Sequence, residues 1–159
     1  MVRVGFGYDV HRLVPNRDLW LGGIKIDHTL GLLGHSDADV LIHAICDALL
    51  GAANMRDIGY HFPDTDEETD GIDSKILLRK TIELIATKGY CVGNIDATVC
   101  AERPKLNPYI PAMQQCLAEV MGVDPDQVSI KATTTERLGF TGRQEGMSAY
   151  AVCLLNTHP

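Results

Sequence analysis

The sequence predicts an α+β fold: a mixed β-sheet with helices packed on one face, in a ferredoxin-like arrangement. Three observations carry this expectation. Segments of apolar and polar alternation are interleaved with longer segments of helical periodicity, in the order strand, strand, helix, helix, strand, helix, strand, strand. No internal repeat, low-complexity tract or Pro/Gly-rich linker breaks that order, so the 159 residues read as one domain spanning 1–159, large enough to bury about 70% of its unfolded surface. The composition, 45% hydrophobic and 22% charged, is that of an ordinary globular chain.

The alternation in "RVGFGYDVH" predicts the first strand. Side chains two apart leave a strand on one face, so Asp9 and His11 point the same way and Gly5 and Gly7 clear space beside them. Val4, Phe6, Tyr8 and Val10 take the opposite face, expected to be core. "VPNRD" reads as a turn and "LWLGGIKI" as a second strand. "HSDADVLIHAICDALLGAAN" predicts a helix with Ser36 as N-cap, Asp39 completing a capping box, and Leu41, Ile45, Ala48 and Ala52 facing the core. The long polar segment "MRDIGYHFPDTDEETDG" reads as a functional or mobile loop. "IDSKILLRKTIELIATKG" predicts a helix with Ile76, Leu77, Ile82, Leu84 and Ile85 inward and Gly89 as its stop. A strand over "YCVGNIDATVCAE" follows, then a helix with Asn107 as N-cap, Pro108 in its first turn and Gly122 at its end. The strand "QVSIKATTT", the loop "ERLGFTGRQEG" and the strand "MSAYAVCLLN" complete the pattern.

The net charge of −7 argues against nucleic-acid or anionic-membrane partners, which require a basic patch. A phosphorylated small molecule remains compatible if local cations or metals offset the acidic background. The five cysteines, Cys46, Cys91, Cys100, Cys116 and Cys153, form no CxxC pair and read as reduced core residues of an intracellular protein. No apolar run approaches the roughly 18 residues of a membrane span, so the expected setting is cytoplasmic, or a plastid-type organelle if a transit segment has been removed.

Four segments carry candidate chemistry. His43 has Asp39 and Asp47 four residues to either side on one helical face, where a carboxylate can fix the tautomer of a metal-bound imidazole. If His43 meets Asp9 and His11, the three form a carboxylate and imidazole site with an open fourth position, as in catalytic zinc; the competing reading is a polar surface stripe with two unrelated histidines. In "GHSDAD", His35 and Ser36 precede a helix N-terminus that suits phosphate, or Ser36 is only a cap. "KATTTERLGFTGR" offers hydroxyls and Arg143 for phosphate oxygens and Glu136 for a hard cation bridging two phosphates, or is an ordinary threonine-rich strand with a glycine turn. "DIGYHFPDTD" carries Asp57, Asp64 and Asp66 and suits sugar hydroxyls better than phosphate, or is a solvated loop.

Taken together, "DVH", "HSDADVLIHAICDALLGA", "DIGYHFPDTD" and "KATTTERLGFTGRQEG" closely resemble the 2-C-methyl-D-erythritol 2,4-cyclodiphosphate synthase family of the non-mevalonate isoprenoid pathway, in order and at family spacing from residue 2 to about residue 155. The resemblance implies a phosphorus-oxygen lyase that converts 4-diphosphocytidyl-2-C-methyl-D-erythritol 2-phosphate to the cyclic diphosphate and releases CMP. It implies zinc on Asp9, His11 and His43, magnesium or manganese on Glu136 bridging the diphosphate, and His35 and Thr134 as catalytic residues. Substrate contacts are implied at Val10 and Ser36 beside the metal ligands, and at Asp57, Ile58, Gly59, Phe62, Pro63, Asp64, Thr65 and Asp66 around the methylerythritol. Ala101, Pro104, Lys105, Leu106 and Asn107 are implied around the cytidine, with Thr133, Thr134, Thr135 and Glu136 around its phosphates. Glu102 and Arg103 fall where the family varies. The family is a homotrimer with active sites between subunits, and Phe140 and Arg143 match residues near a central cavity that takes a prenyl diphosphate. Two other readings share the ligand set: a two-histidine, one-carboxylate iron enzyme, and a zinc-stabilised trimer that binds a prenyl diphosphate without catalysis.

Overall fold

The computed structural model describes residues 1–158. Strand β1 (Val2–Pro15) runs into the short hairpin β2 (Leu19–Leu21) and β3 (Ile24–Ile26), followed by β4 (Leu30–Leu33) and helix α1 (Val40–Ala52). A short helix α2 (Ile58–His61) and a 3-10 turn at Glu67–Thr69 lead to α3 (Ser74–Thr87) and β5 (Tyr90–Cys100). Helix α4 (Ile110–Met121), β6 (Val128–Thr133), the one-turn α5 (Gly139–Gly142) and β7 (Gly146–Thr157) complete the chain. The main sheet has the order β4-β1-β7-β5-β6. Its pairings are antiparallel except β5 with β6, so the sheet is mixed, as expected.

The core lies between one face of this sheet and the helices. Met147, Ala149, Ala151, Cys153 and Leu155 of β7 point inward against Leu41, Ile45, Ala48 and Leu49 of α1, all fully or almost fully buried. The faces of β1 are reversed from expectation. Gly5 and Gly7 are buried because α1 rests directly on them: a Cβ on Gly7 would stand 1.9 Å from the Ala44 carbonyl oxygen, and one on Gly5 would stand 1.9 Å from that of Ala48. The alternating Val2, Val4, Phe6, Tyr8 and Val10 line the opposite face and are 42–68% exposed, together with Tyr150 and Val152 of β7. Strict alternation marks a two-faced strand, but which face meets the helices is decided by how closely the helix backbone can approach, and only glycine allows this contact.

Other boundaries shift for local reasons. Helix α1 is capped by Asp39, whose Oδ1 accepts from Ile42 N at 3.0 Å, while Ser36 Oγ turns back to accept from Ala38 N. Asp39 is fully buried and also accepts from Gly22 N and Gly23 N at 3.0 and 2.8 Å. It therefore ties the β2–β3 hairpin to the start of α1, which is why "LWLGGIKI" folds as two strands around Gly22 and Gly23 instead of one. Asn107 opens a 3-10 turn (Asn107–Tyr109), and α4 starts after it, ending at Gly122 with φ 69° as predicted. In α3, Leu77, Leu78, Thr81 and Ile85 are buried whereas Ile76 is 41% exposed, so the apolar stripe is rotated by about one residue.

Replacing Asp39 with Ala removes the acceptor for three buried backbone donors, each costing about 1–3 kcal/mol when left unmet. The expected loss is at least about 3 kcal/mol, seen as a fall in Tm of roughly 6–12 °C for a chain of this size. A thermal melt within about 2 °C of the parent, less than the shift expected for 1 kcal/mol, would contradict this account of the cap.

Candidate functional site

Three side chains from two elements converge at the carboxyl-proximal half of β1. Asp9 and His11 stand on its helix-facing side, two residues apart, and His43 comes down from the second turn of α1. Asp9 Oδ2 lies 2.8 Å from His11 Nε2 and 3.2 Å from His43 Nδ1, and the two ring nitrogens are 3.2 Å apart. Four donors arranged tetrahedrally at about 2.0–2.1 Å from zinc are separated by about 3.3 Å, so this triangle fits the ion with a small outward relaxation. A metal needs the lone pairs of both imidazoles. His11 Nδ1 donates to the Leu33 carbonyl oxygen at 3.0 Å, which leaves Nε2 as its lone-pair nitrogen.

The electrostatics suit a cation. Without a metal, burial pushes the Asp9 carboxyl up, but hydrogen bonds from His11 and His43 in their protonated forms, with the charge they then carry, outweigh it and hold the group at about 2. Burial works against a charge on the His43 imidazole, yet its hydrogen bond to Asp9 and the charges of Asp9, Asp39 and Asp37 raise its pKa overall. Asp47 lies on the same wall. Its carboxyl is raised, first by burial and then by the charges of Asp57 and Asp9, against a hydrogen bond from Ile58 N at 2.7 Å.

The groups that hold His43 differ from those expected. Asp39 turns away to Gly22 and Gly23, and Asp47 accepts from Ile58 N, so neither holds the ring. The far nitrogen, Nε2, instead meets Ser74 Oγ at 2.9 Å and Ser36 Oγ at 3.1 Å. Ser74 begins α3, 31 residues from His43, and no local sequence signal joins the two. Arg17 donates to the Gly34 and Ser36 carbonyl oxygens and fixes the segment that presents His35 and Ser36. In the first turn of α1 the Asp39 carboxylate accepts from Ile42 N, so the helix end is capped by an acid and not by Ser36.

A cavity of about 480 Å³ opens over the triangle, lined by Asp9, His11, His35, Ser36, His43, Asp47, Asp57, Ile58, Gly59, Phe62 and Asp64, among others. His35 is steadied by Nε2 lying 3.1 Å from the Asp66 carbonyl oxygen. Of the other expected contacts, Pro63 and Thr65 are exposed in the same loop, and Val10 points to the opposite face of the sheet. A second cavity of about 790 Å³ gathers Ala101, Pro104, Lys105, Leu106, Asn107, Thr133 and Thr134. Its wall also holds Arg103 and Arg137, cations that the sequence reading did not assign to a site. Thr135 and Glu136 follow Thr134 in the chain but are not among the cavity's lining residues; Glu136 is exposed with φ 53°, its N–H donating to Thr134 Oγ1 at 3.3 Å. Phe140 is 38% exposed, and Arg143 forms a two-pronged ion pair with Glu145.

The two cavities share no lining residue. Val10, Ser148, Cys100 and Thr133 are paired in one row across β1, β7, β5 and β6. At about 4.8 Å per strand, Thr133 lies roughly 14 Å from the strand that carries the metal ligands.

A profile of the YgbB family matches residues 2–156. A 2-C-methyl-D-erythritol 2,4-cyclodiphosphate synthase of Bacteroides fragilis is 75% identical over 98% of both chains. Among solved structures, the bifunctional IspDF of Campylobacter jejuni superposes with a TM-score of 0.95 at 42% identity, covering 99% of this chain and 42% of that longer one. A 2C-methyl-D-erythritol-2,4-cyclodiphosphate synthase in a CDP-bound form superposes with a TM-score of 0.89 at 36% identity, covering 97% of this chain and all of that one.

Proposed function

The chain belongs to the YgbB family, and from that premise we propose that it is a 2-C-methyl-D-erythritol 2,4-cyclodiphosphate synthase of isoprenoid biosynthesis. It cyclises 4-diphosphocytidyl-2-C-methyl-D-erythritol 2-phosphate and releases CMP. One observation carries the reading: a metal-binding triangle and a separate cation-bearing cavity occur in a chain 75% identical to a protein of that name. The same likeness favours the synthase over the iron enzyme and the non-catalytic prenyl diphosphate trimer.

In the reaction an oxygen of the 2-phosphate attacks the β phosphorus, and the bond from that phosphorus to the oxygen bridging the α and β phosphates breaks as CMP leaves. The nucleophile is already an anion, so catalysis rests on position and charge neutralisation. Zinc on Asp9, His11 and His43, with magnesium or manganese on Glu136, would supply Lewis-acid polarisation and charge compensation to the diphosphate. His35 and Ser36 hold polar atoms over the triangle, while the segments Asp57 to Gly59 and Phe62 to Asp66 hold the methylerythritol portion, their carboxylates accepting from its hydroxyls. Lys105, Thr133 and Thr134 grip the cytidine diphosphate portion, with Thr134 steadying the leaving group.

We place each complete site between two copies of the chain in a homotrimer. Two observations support this: the separation of the cavities across the sheet, and the exposed apolar face that Val2, Val4, Phe6, Tyr8, Val10, Tyr150 and Val152 form on adjacent strands, the kind of surface that marks an interface. Phe140 and Arg143 would then lie near the cavity on the three-fold axis, where a prenyl diphosphate would be bound. No helix among the described residues is long and apolar enough to cross a membrane. The free cysteines and an ionic substrate accord with a cytoplasmic setting.

Incubation with the cytidylylated substrate, zinc and magnesium should give the cyclic diphosphate and CMP by phosphorus NMR; no cyclic product under these conditions rules the activity out. Glu136→Gln should leave zinc content intact and raise the magnesium concentration for half-maximal rate about tenfold, equivalent to about 1.4 kcal/mol, and an unchanged magnesium curve would remove Glu136 from this role. Phe6→Asp places an unpaired charge in the proposed interface, a cost of several kcal/mol. Sedimentation should show monomers, and a persisting trimer would move the interface elsewhere.

A further inference from the structure

We infer that Ser74 and Asp37 are positioning residues that decide which nitrogen of His43 faces the metal triangle, and so set the metal affinity of the site. The inference rests on the metal reading above. Ser74 is fully buried at the start of α3, with its Oγ 2.9 Å from His43 Nε2. A hydroxyl has one hydrogen, and that of Ser74 is donated to Asp37 Oδ1. Toward His43, therefore, Ser74 Oγ can only accept. In the neutral ring that a metal requires, Nε2 therefore carries the hydrogen, and Nδ1 is left with its lone pair for the cation.

Asp37 is itself locked in place. Its Oδ2 accepts from Ser74 N at 2.9 Å, its Oδ1 accepts from Asp39 N at 3.1 Å, and its N–H donates to the Ile72 carbonyl oxygen at 3.2 Å. The segment before α1 and the first residue of α3 are thereby joined behind the imidazole. Ser36 Oγ, 3.1 Å from Nε2, already accepts from Ala38 N and gives the ring hydrogen a second, longer acceptor. The opposite tautomer would set the Nε2 lone pair against the Ser74 lone pairs and turn an N–H into the triangle, where a cation belongs. Outer partners of this kind typically change metal affinity 10–100-fold.

The test is zinc affinity of the full-length protein, measured by competition with a chelator of known strength, alongside the melting temperature of the metal-free protein. Ser74→Ala should weaken zinc binding about 10–100-fold. Asp37→Asn should weaken it about tenfold, because the new amide can donate to Ser74 Oγ and free the hydroxyl hydrogen to point at Nε2. Ser74→Thr, which keeps the hydroxyl, should recover most of the loss. Long-range proton–nitrogen spectra of the zinc-loaded parent should show hydrogen on Nε2 and metal on Nδ1 of His43. Zinc affinity within twofold of the parent in both Ser74→Ala and Asp37→Asn, or a His43 hydrogen on Nδ1, overturns the inference. Should Ser74→Ala fail to fold, Asp37→Asn and the spectra decide the matter. A parent protein that binds no zinc would instead overturn the metal reading beneath it.

Discussion

His43→Ala is expected to purify with almost no zinc and to lose at least about 10³-fold in turnover, the equivalent of about 4 kcal/mol of transition-state stabilisation. The ring supplies one of three ligand atoms that lie within 3.2 Å of one another, and the other two come from one strand. Two neighbouring ligands on β1 leave the ion half-coordinated, and a divalent ion held by two groups exchanges readily with solvent. The fold should survive. The side chain of His43 is 12% exposed at the floor of an open cavity, and the rest of α1 packs through Leu41, Ile45, Ala48 and Leu49. Elemental analysis and circular dichroism check both halves, and normal zinc content in a folded variant would refute the assignment.

Gly7→Ala is expected to cost more stability than any substitution at the metal site. Its new Cβ would sit 1.9 Å from the Ala44 carbonyl oxygen, 2.8 Å from Ala48 N and 2.9 Å from the Ala44 carbonyl carbon. All three are helix backbone, so no rotamer change relieves the clash, and α1 must lift by more than about 1 Å to reach normal contact distance. Overpacking that side chains can absorb costs about 1–3 kcal/mol; here the loss should be at or above the top of that range, lowering Tm by at least roughly 6–12 °C. Because His43 rides on the same helix, zinc affinity should fall with it. Gly51→Ala provides a control of opposite sign. Gly51 lies in α1 with only Phe6 O, at 3.9 Å, near its missing Cβ, and replacing a helical glycine should stabilise by about 0.5–1 kcal/mol. Equal melting temperatures for Gly7→Ala and the parent would disprove the close strand–helix contact.

These two residues also show how far the sequence could be read. The period of two in "GYDVH" put Asp9 and His11 on one face, and helical spacing gave His43 a polar face, which left the triangle as one of two readings until the family resemblance favoured it. The burial of the strand was not visible. Glycine at positions 5 and 7 reads as empty space, whereas in the fold it is the contact itself, and the apolar face of β1 reads as core although the helices pack on the other side. The cap of α1 was read as Ser36 with Asp39 completing a capping box, but the role falls to Asp39, which a hairpin 16 residues upstream also engages. Ser74 and Arg17 act across long stretches of chain and leave no periodic trace. The second cavity was identified through the family resemblance; its own residues carry only a threonine-rich strand and a proline-containing loop.

The bare contact between β1 and α1 bears on how the ion would be acquired. Nothing compressible separates the two backbones, so the spacing of the three ligands is inherited from main-chain packing and does not wait for the ion to assemble it. Loading should then behave as simple capture: second-order in protein and zinc, without a lag or a change in circular dichroism, and reversible by chelation through repeated cycles.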